Sequence, residues 1–399
     1  MIKNKDIIIV GIQPWDIKIG SNCKNIAEVL SKYNRVLYVN VPLDRKTKTT
    51  KSDQPEIQKR INIVKGKEKA LYQINNNLWN LYPRFLAESI NWINIKPLYN
   101  FLNKRNNQFF AKEIARAAKD LGFKDFILFN DSLMFTGFYL KEFLNPKIYI
   151  YYIRDNLITQ PYFRKHGLEL EPKLMKKADT VVSNSIYLAN YAKKHNPESF
   201  MVGQGCDVSL FNDDDGQMEI PDDLKKIPSP VIGYVGALTS KRLDIDVMVH
   251  IAKSRSDWNV VLVGPEDEQF KESELHQLDN VYFLGSKPGN ELPKYIKGFD
   301  VCINPQLVND LTIGNYPRKI DEYLSMGKPV LATPTEAMEY FADYTYLAPD
   351  KDAYVSMAGQ AIKEDNKEKQ EARKIFARSH TWENNVENIS AIIENYLPA

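Results

Sequence analysis

Apolar residues in this chain come in short continuous runs, separated by stretches where they recur every three or four positions. Ile7–Ile12 is such a run, the mark of a strand buried on both faces. A loop follows (13–21), then a helix expected over Asn25–Tyr33 with Ile26, Val29 and Leu30 on one face, then a strand over Arg35–Val41. Strand, helix, strand at this spacing is a βαβ unit and implies a parallel sheet. After a break the alternation resumes. Strands are expected over Phe126–Asn130, Ile148–Ile153, Thr180–Ser183 and Phe200–Val202. The helices between them fall over Phe109–Leu121, Leu133–Phe143, Glu171–Lys177 and Ser185–His195. That makes about six parallel strands in one doubly wound domain, over residues 1–211.

Asn212 to Pro230 is acidic, carries prolines and has no period, so it reads as a linker. Asp213-Asp214-Asp215 within it reads as a solvated acidic turn rather than a metal site. The pattern then repeats over residues 228–379. Strands are expected at Val231–Val235, Val260–Gly264, Val281–Leu284, Val301–Asn304, Val330–Ala332 and Tyr344–Leu347. Helices are expected at Ile245–Ala252, Leu292–Lys297 and through Ala353–Ala377, with a last one from about Thr381 to Tyr396. The organisation is two similar α/β lobes, and a cleft between such lobes is a natural binding site. The first βα turn, GIQPWDIKIG, lacks GxGxxG, which disfavours a nicotinamide-type dinucleotide fold.

The stretch Gly314–Thr333, GNYPRKIDEYLSMGKPVLAT, organises the second lobe. Pro317 reads as the first residue of a helix, Ile320, Tyr323 and Leu324 as its core face, and Gly327 as its C-cap. In open α/β sheets the ligand crevice lies at the carboxyl ends of the strands, and helix N-termini there attract anions. Lys319 adds a positive charge in the first turn, and Glu322 lies three residues on, along the same flank. A cation over a phosphate and a carboxylate on two ribose hydroxyls would grip a nucleoside diphosphate. An exposed Lys–Glu pair on an amphipathic helix would look the same in sequence. The loop GYVGALTSKRLD brings Gly233, Gly236, Lys241 and Arg242 to the same sheet edge, where backbone N–H groups and two cations suit a diphosphate. In the first lobe Asp155 follows the strand Ile148–Ile153. From there it would point into the cleft as a general base, or simply close an Asx turn.

Composition narrows the classes. The 399 residues carry a net charge of only +2, which gives no whole-chain signature of nucleic-acid binding. Three separated cysteines form neither a disulfide framework nor a CxxC metal spacing, and fit a reducing compartment. The five histidines show no HxH or HExxH spacing, so no metal site is expected, and without a GxSxG elbow no Ser/His/Asp triad can be assigned. The N-terminal apolar run is too short for a signal-peptide core, and no run approaches the ~20 apolar residues of a membrane span. Charge is nevertheless uneven. Between Val41 and Lys112 there are fourteen Lys/Arg against five acids. The insertion at about 46–105 is also dense in aromatics, including Trp79, Tyr82, Phe85, Trp92 and Phe101. It reads either as a helical insertion packing on the domain, or as a basic aromatic surface for anionic lipid headgroups or a lipid-linked acceptor.

Taken together, VIGYVGALTSKRLDIDVM, WNVVLVGP, NVYFLGSKPGNELPKYIKGFDVCINP and YPRKIDEYLSMGKPVLAT resemble GT-B-fold glycosyltransferases of the family 4-like kind, bacterial enzymes of polysaccharide and capsule biosynthesis. In the first half the PWD, RVLYVNVP, YYIRDN, ADTVVSNS and QGCDVSLF stretches fit the same pattern. The resemblance covers nearly the whole chain outside Lys46–Arg105. It implies two Rossmann-like doubly wound domains facing a cleft: an acceptor-binding domain 1–211, a nucleotide-sugar-binding domain 228–379, and a segment 380–399 whose helix crosses back to the N-terminal domain. By resemblance Glu322 is the ribose-binding carboxylate; Lys319, Lys241 and Arg242 are diphosphate contacts, with Gly236 and Pro317 beside them; and Asp155 is the candidate base. Members often carry a second Glu eight residues before Glu322. Here that position is Gly314, which leaves retaining and inverting stereochemistry open.

The expected activity is transfer of a sugar from a nucleotide-diphosphate sugar, UDP-linked, to a lipid-linked or growing surface glycan. It would need neither metal nor cofactor, and the protein would sit peripherally on the inner face of the cytoplasmic membrane. A sugar-nucleotide epimerase of the same architecture and a non-catalytic two-lobed sugar-binding protein remain as alternatives.

Overall fold

A computed structural model describes residues 1–16, 21–310, 312–314 and 316–397. Ile17–Gly20, in the loop after the first strand, and Asn315, in the stretch before the Lys319 helix, lie outside the described residues, as do Pro398 and Ala399. The chain divides into two compact units, Met1–Gly205 with Trp382–Ala399, and Cys206–Thr381.

The first unit is built on an eight-stranded sheet. Its strands are β1 (Asp6–Gly11), β2 (Arg35–Asn40), β3 (Leu71–Asn75), β4 (Leu78–Leu81), β5 (Ile127–Asp131), β6 (Ile148–Ile153), β7 (Thr180–Ser183) and β8 (Ser199–Met201), in the order β3-β4-β2-β1-β5-β6-β7-β8. All neighbours are parallel except β3 and β4. The apolar runs explain this: IYIYYI in β6 is buried along its whole length, so helices must cover both faces.

The insertion is not wholly helical, as one reading of it expected. It contains two short helices, Arg45–Thr50 and Pro55–Val64, and then the β3–β4 hairpin, which lengthens the sheet by two strands. The turn is made by asparagines. Asn75 accepts from the Asn77 N–H at 2.9 Å, an Asx turn, and the Asn77 carbonyl accepts from the Val36 N–H at 2.7 Å, which docks β4 on β2. The helix expected from Phe109 starts at Lys96 instead and runs to Asp120, with Pro97 in its first turn. The helix expected over Leu133–Phe143 is reduced to Leu140–Leu144, preceded by turns.

The C-terminal helix Trp382–Glu394 belongs to the first unit. It buries Trp382, Val386, Ile389 and Ile393 in one cluster with Ile7, Ile9 and Ile26. Each such aliphatic side chain contributes roughly 1.5–3 kcal/mol. Gly205 makes the docking possible, since a β-carbon there would lie 2.1 Å from the Trp382 indole.

The second unit has a six-stranded, all-parallel sheet. Its strands are β9 (Val231–Val235), β10 (Asn259–Val263), β11 (Val281–Phe283), β12 (Val301–Asn304), β13 (Val330–Ala332) and β14 (Tyr346–Leu347), in the order β11-β10-β9-β12-β13-β14. The acidic turn is exposed at Asp214 and Asp215, as expected, and it is also ion-paired. Asp213 pairs with Lys297 at 2.6 Å, and Asp214 with Lys374 and Arg378 at 3.0 and 2.5 Å, so cations of this unit hold the segment down. Among the described residues no helix is long and apolar enough to cross a membrane, and no cluster of three or more His, Cys, Asp or Glu could hold a metal.

Candidate active site

In the second unit an open pocket of about 340 Å³ lies past the ends of β9 and β12. Arg242, Arg318, Lys319 and Glu322 line it together with Tyr234 and Tyr316. The helix Arg318–Ser325 supplies most of the charge. Pro317 occupies its N-cap rather than its first turn, with φ −85° and ψ 76°. The Arg318 and Ile320 N–H groups are taken by the carbonyls of Tyr316 and Pro317, so the helix start offers fewer free donors than its position implied.

Three contacts fix this helix. Tyr323, fully buried, accepts from the Val235 N–H at 2.9 Å, which ties the helix to the last residue of β9. Asp321, also fully buried, accepts from the Tyr316 hydroxyl at 2.9 Å and faces His380 Nδ1 at 2.7 Å. Burial pushes the Asp321 carboxyl up, and His380 then acts in the opposite direction. The network therefore sets the Tyr316 wall of the pocket from behind.

Lys319 reaches back toward β9. Its ammonium lies over the Tyr234 ring, 5.0 Å from the centroid, and beside Gly236. Gly236 has φ +142°, a conformation side chains rarely adopt. Glu322, one turn further on, is half-buried. Desolvation raises its pKa, and the Lys319 and Arg318 charges pull it back. Arg242 sits on the loop after β9. That loop is held by Asp267, which accepts from Ser240 N–H and Oγ, and by the Leu307 N–H, which donates to the Arg242 carbonyl at 2.8 Å.

Of the residues singled out in sequence, Arg242, Pro317, Lys319 and Glu322 line this pocket, and Gly236 adjoins it through Lys319. Lys241 is exposed and does not line it; its carbonyl accepts from Asn309 Nδ2 at 3.1 Å. Arg318, Tyr234 and Tyr316 were not foreseen. Arg318 was legible as the neighbour of Lys319 in the same turn, whereas nothing in the spacing marked the two tyrosines. Asp155 lies in the other unit, just past β6, with its side chain about half exposed. Arg154 Nη1 donates to it at 3.2 Å, while Arg154 Nε donates to the fully buried Asp131 at 2.9 Å.

Residues 229–364 match the family model described as glycosyl transferases group 1. That match lies wholly within the second unit. The matched segment contains the whole set Gly236, Arg242, Lys319 and Glu322. A Bacillus subtilis protein assigned to teichuronic acid biosynthesis as a glycosyltransferase, TuaH, is 27% identical over 244 residues, which is 57% of this chain. The match spans 60% of that relative's length. Among solved structures, sucrose-phosphate synthase of Thermosynechococcus elongatus superposes with a TM-score of 0.67 at 14% identity, covering 98% of this chain and 99% of that one. Anabaena HepE in complex with UDP gives 0.65 at 14% identity over 98% and 100%. At these identities the likeness is one of fold, and that fold is GT-B.

Proposed function

We propose that this chain works in an enzyme that transfers a sugar from a UDP-linked donor to a hydroxyl of a lipid-linked or growing bacterial surface glycan. One observation carries the reading: three cationic side chains and a half-buried carboxylate converge on one pocket at the carboxyl edge of the second unit's sheet. Arg242, Arg318 and Lys319 suit a diphosphate, and Glu322 suits the paired hydroxyls of a ribose. In the transfer, the acceptor oxygen forms the new bond to the anomeric carbon. The bond from that carbon to the diphosphate breaks, and its electron pair leaves with UDP. The three cations stabilise the developing charge and take the part a divalent ion plays elsewhere, so no metal or cofactor is required. Asp155 takes the acceptor proton if the configuration inverts.

The relatives support the choice of donor and acceptor. HepE is solved in complex with UDP-glucose, and TuaH is assigned to teichuronic acid biosynthesis. The basic insertion supports placement in the cytoplasm, peripherally on the inner face of the membrane, against anionic lipid.

Thermal shift with UDP, GDP and UDP-glucose tests the donor, because a ligand of the folded state raises its melting temperature by mass action. UDP and a UDP-sugar are expected to stabilise the protein, and transfer is expected to survive EDTA. A protein indifferent to every nucleoside diphosphate would overturn the reading. Flotation with neutral and anionic vesicles at low salt tests the membrane partner, and equal recovery with both would refute the electrostatic part.

A further inference from the structure

The first unit holds a larger cavity, about 700 Å³, at the carboxyl ends of β2 and β5. That volume is within the roughly 300–1,000 Å³ of small-molecule sites. Its walls come from the loop after β2, the loop after β5 and the start of the helix Pro161–Lys177, and they include Leu43, Ile90, Met134, Phe135 and Phe163. At the mouth stand Trp92 and Tyr162, whose side chains are 75% and 58% exposed. Two large aromatics left exposed beside an apolar recess are surface for a ligand to cover.

The charge around the cavity is as informative as its apolar lining. Lys46, Lys51 and Lys165 line it, are exposed, and form no ion pair among the described residues. The two acids of the lining are already engaged. Asp44 caps the helix Arg45–Thr50 through the Thr47 N–H at 3.1 Å, and Glu88 pairs with Arg45 at 2.7 Å. Three lysine charges are thus left without a carboxylate partner, among the described residues, at the lining of an apolar recess.

We infer that this cavity holds a single long hydrocarbon chain bearing a phosphate or diphosphate, with the chain in the recess and the anion among Lys46, Lys51 and Lys165. The inference rests on the transferase reading in that it names the class of acceptor carrier. A recess of this volume with an apolar lining has room for a chain to enter it, whereas a bilayer surface would lie across the exposed side chains alone.

Calorimetry on the full chain tests it, with farnesyl phosphate below its micelle concentration, farnesol, inorganic phosphate and UDP as separate probes. Farnesyl phosphate is expected to bind more tightly than either farnesol or inorganic phosphate. Thr136→Trp, which fills the recess from a half-buried position, should weaken it by about tenfold or more. The exposed triple variant Lys46→Glu/Lys51→Glu/Lys165→Glu should also cost about tenfold or more and remove the salt dependence. UDP affinity should be unchanged in both, which shows that they are folded. Farnesyl phosphate binding no tighter than inorganic phosphate, or tight binding indifferent to Thr136→Trp, overturns the inference. If UDP binds in the same experiment, the transferase reading stands without it. Farnesyl phosphate binding that Thr136→Trp abolishes, in a protein blind to UDP, would sustain the cavity and sink the donor site.

Discussion

The ammonium of Lys319 occupies the space that a β-carbon on Gly236 would need, with 2.7 Å between the two positions. The glycine does two things at once. It adopts φ +142°, and it leaves room for the lysine to lie against the end of β9. Gly236→Ala should therefore displace the ammonium as well as strain the backbone by roughly 1–3 kcal/mol. We expect UDP affinity to fall by about ten- to a hundredfold, the worth of a charge-assisted contact. The double variant Gly236→Ala/Lys319→Ala should lose little more than either single one, because both remove the same interaction. Unchanged UDP affinity in Gly236→Ala, read by calorimetry, would mean that Lys319 does not touch the donor.

Glu322 should show its role in pH dependence as well as in affinity. Glu322→Ala should cost roughly 1.5–3 kcal/mol of UDP binding, the usual worth of a hydrogen bond to a charged group. Desolvation raises the folded-state pKa of this carboxyl, so on acidification it gains its proton at a higher pH than an ordinary glutamate. A protonated carboxyl is a poorer acceptor for ribose hydroxyls. UDP affinity is therefore expected to start falling above the usual glutamate range as pH drops, and Glu322→Gln should flatten the profile. The same acid-side loss in the Gln variant would place the titrating group elsewhere.

The alternating architecture was legible because its strands are uninterrupted apolar runs. The expected bounds of β6, β7, β9, β12 and β13 coincide with those in the structure. The insertion was harder for a specific reason. Asn103, Asn106 and Asn107 on the helix Lys96–Asp120 are buried, so polar residues stand where the period demands apolar ones. Asn107 donates to the Phe135 carbonyl at 3.0 Å and accepts from the Tyr139 N–H at 2.9 Å, an inward polar network invisible to hydropathy. At the pocket, the helix bearing Lys319 and Glu322 could be read from its caps and charges. That Lys241 lies outside the lining while its neighbour Arg242 lies within depends on one turn of loop, which spacing does not determine.

Stability should carry a separate pH signature from Glu171. This carboxyl is almost wholly buried, and burial raises its pKa from an ordinary 4.5 to about 7, although the Tyr151 hydroxyl donates to it at 2.8 Å. The folded protein thus keeps a proton that the unfolded chain releases near 4.5. The stability this contributes is complete below that value and is lost as pH rises through about 7. The shift corresponds to about 3 kcal/mol. Glu171→Gln, which still accepts from Tyr151, should melt at a temperature independent of this window and exceed the parent above neutral pH. Parallel melting curves for the two proteins from pH 5 to about 8 would show that Glu171 titrates normally.

Asp155 carries the boldest prediction. It stands past a fully buried strand, its side chain about half exposed, with Arg154 holding one carboxylate oxygen at 3.2 Å. A carboxylate held in place yet open to solvent can receive a proton from an acceptor hydroxyl. Positioned acid–base groups contribute about 10²–10⁴-fold, and Asp155→Asn keeps the shape while removing the basic oxygen. We expect a loss of that size in single-turnover transfer, with UDP affinity unchanged, because the residues proposed to hold the donor belong to the other unit. A purely structural role makes a different forecast. Arg154 is 10% exposed and bridges Asp155 to the buried Asp131, so losing one of its two carboxylates would lower the melting temperature and leave the rate of the folded fraction intact. Melting temperature and single-turnover rate measured on one preparation separate the two. A stable variant with near-normal transfer would remove Asp155 from the reaction and point to a retaining mechanism that needs no side-chain base there.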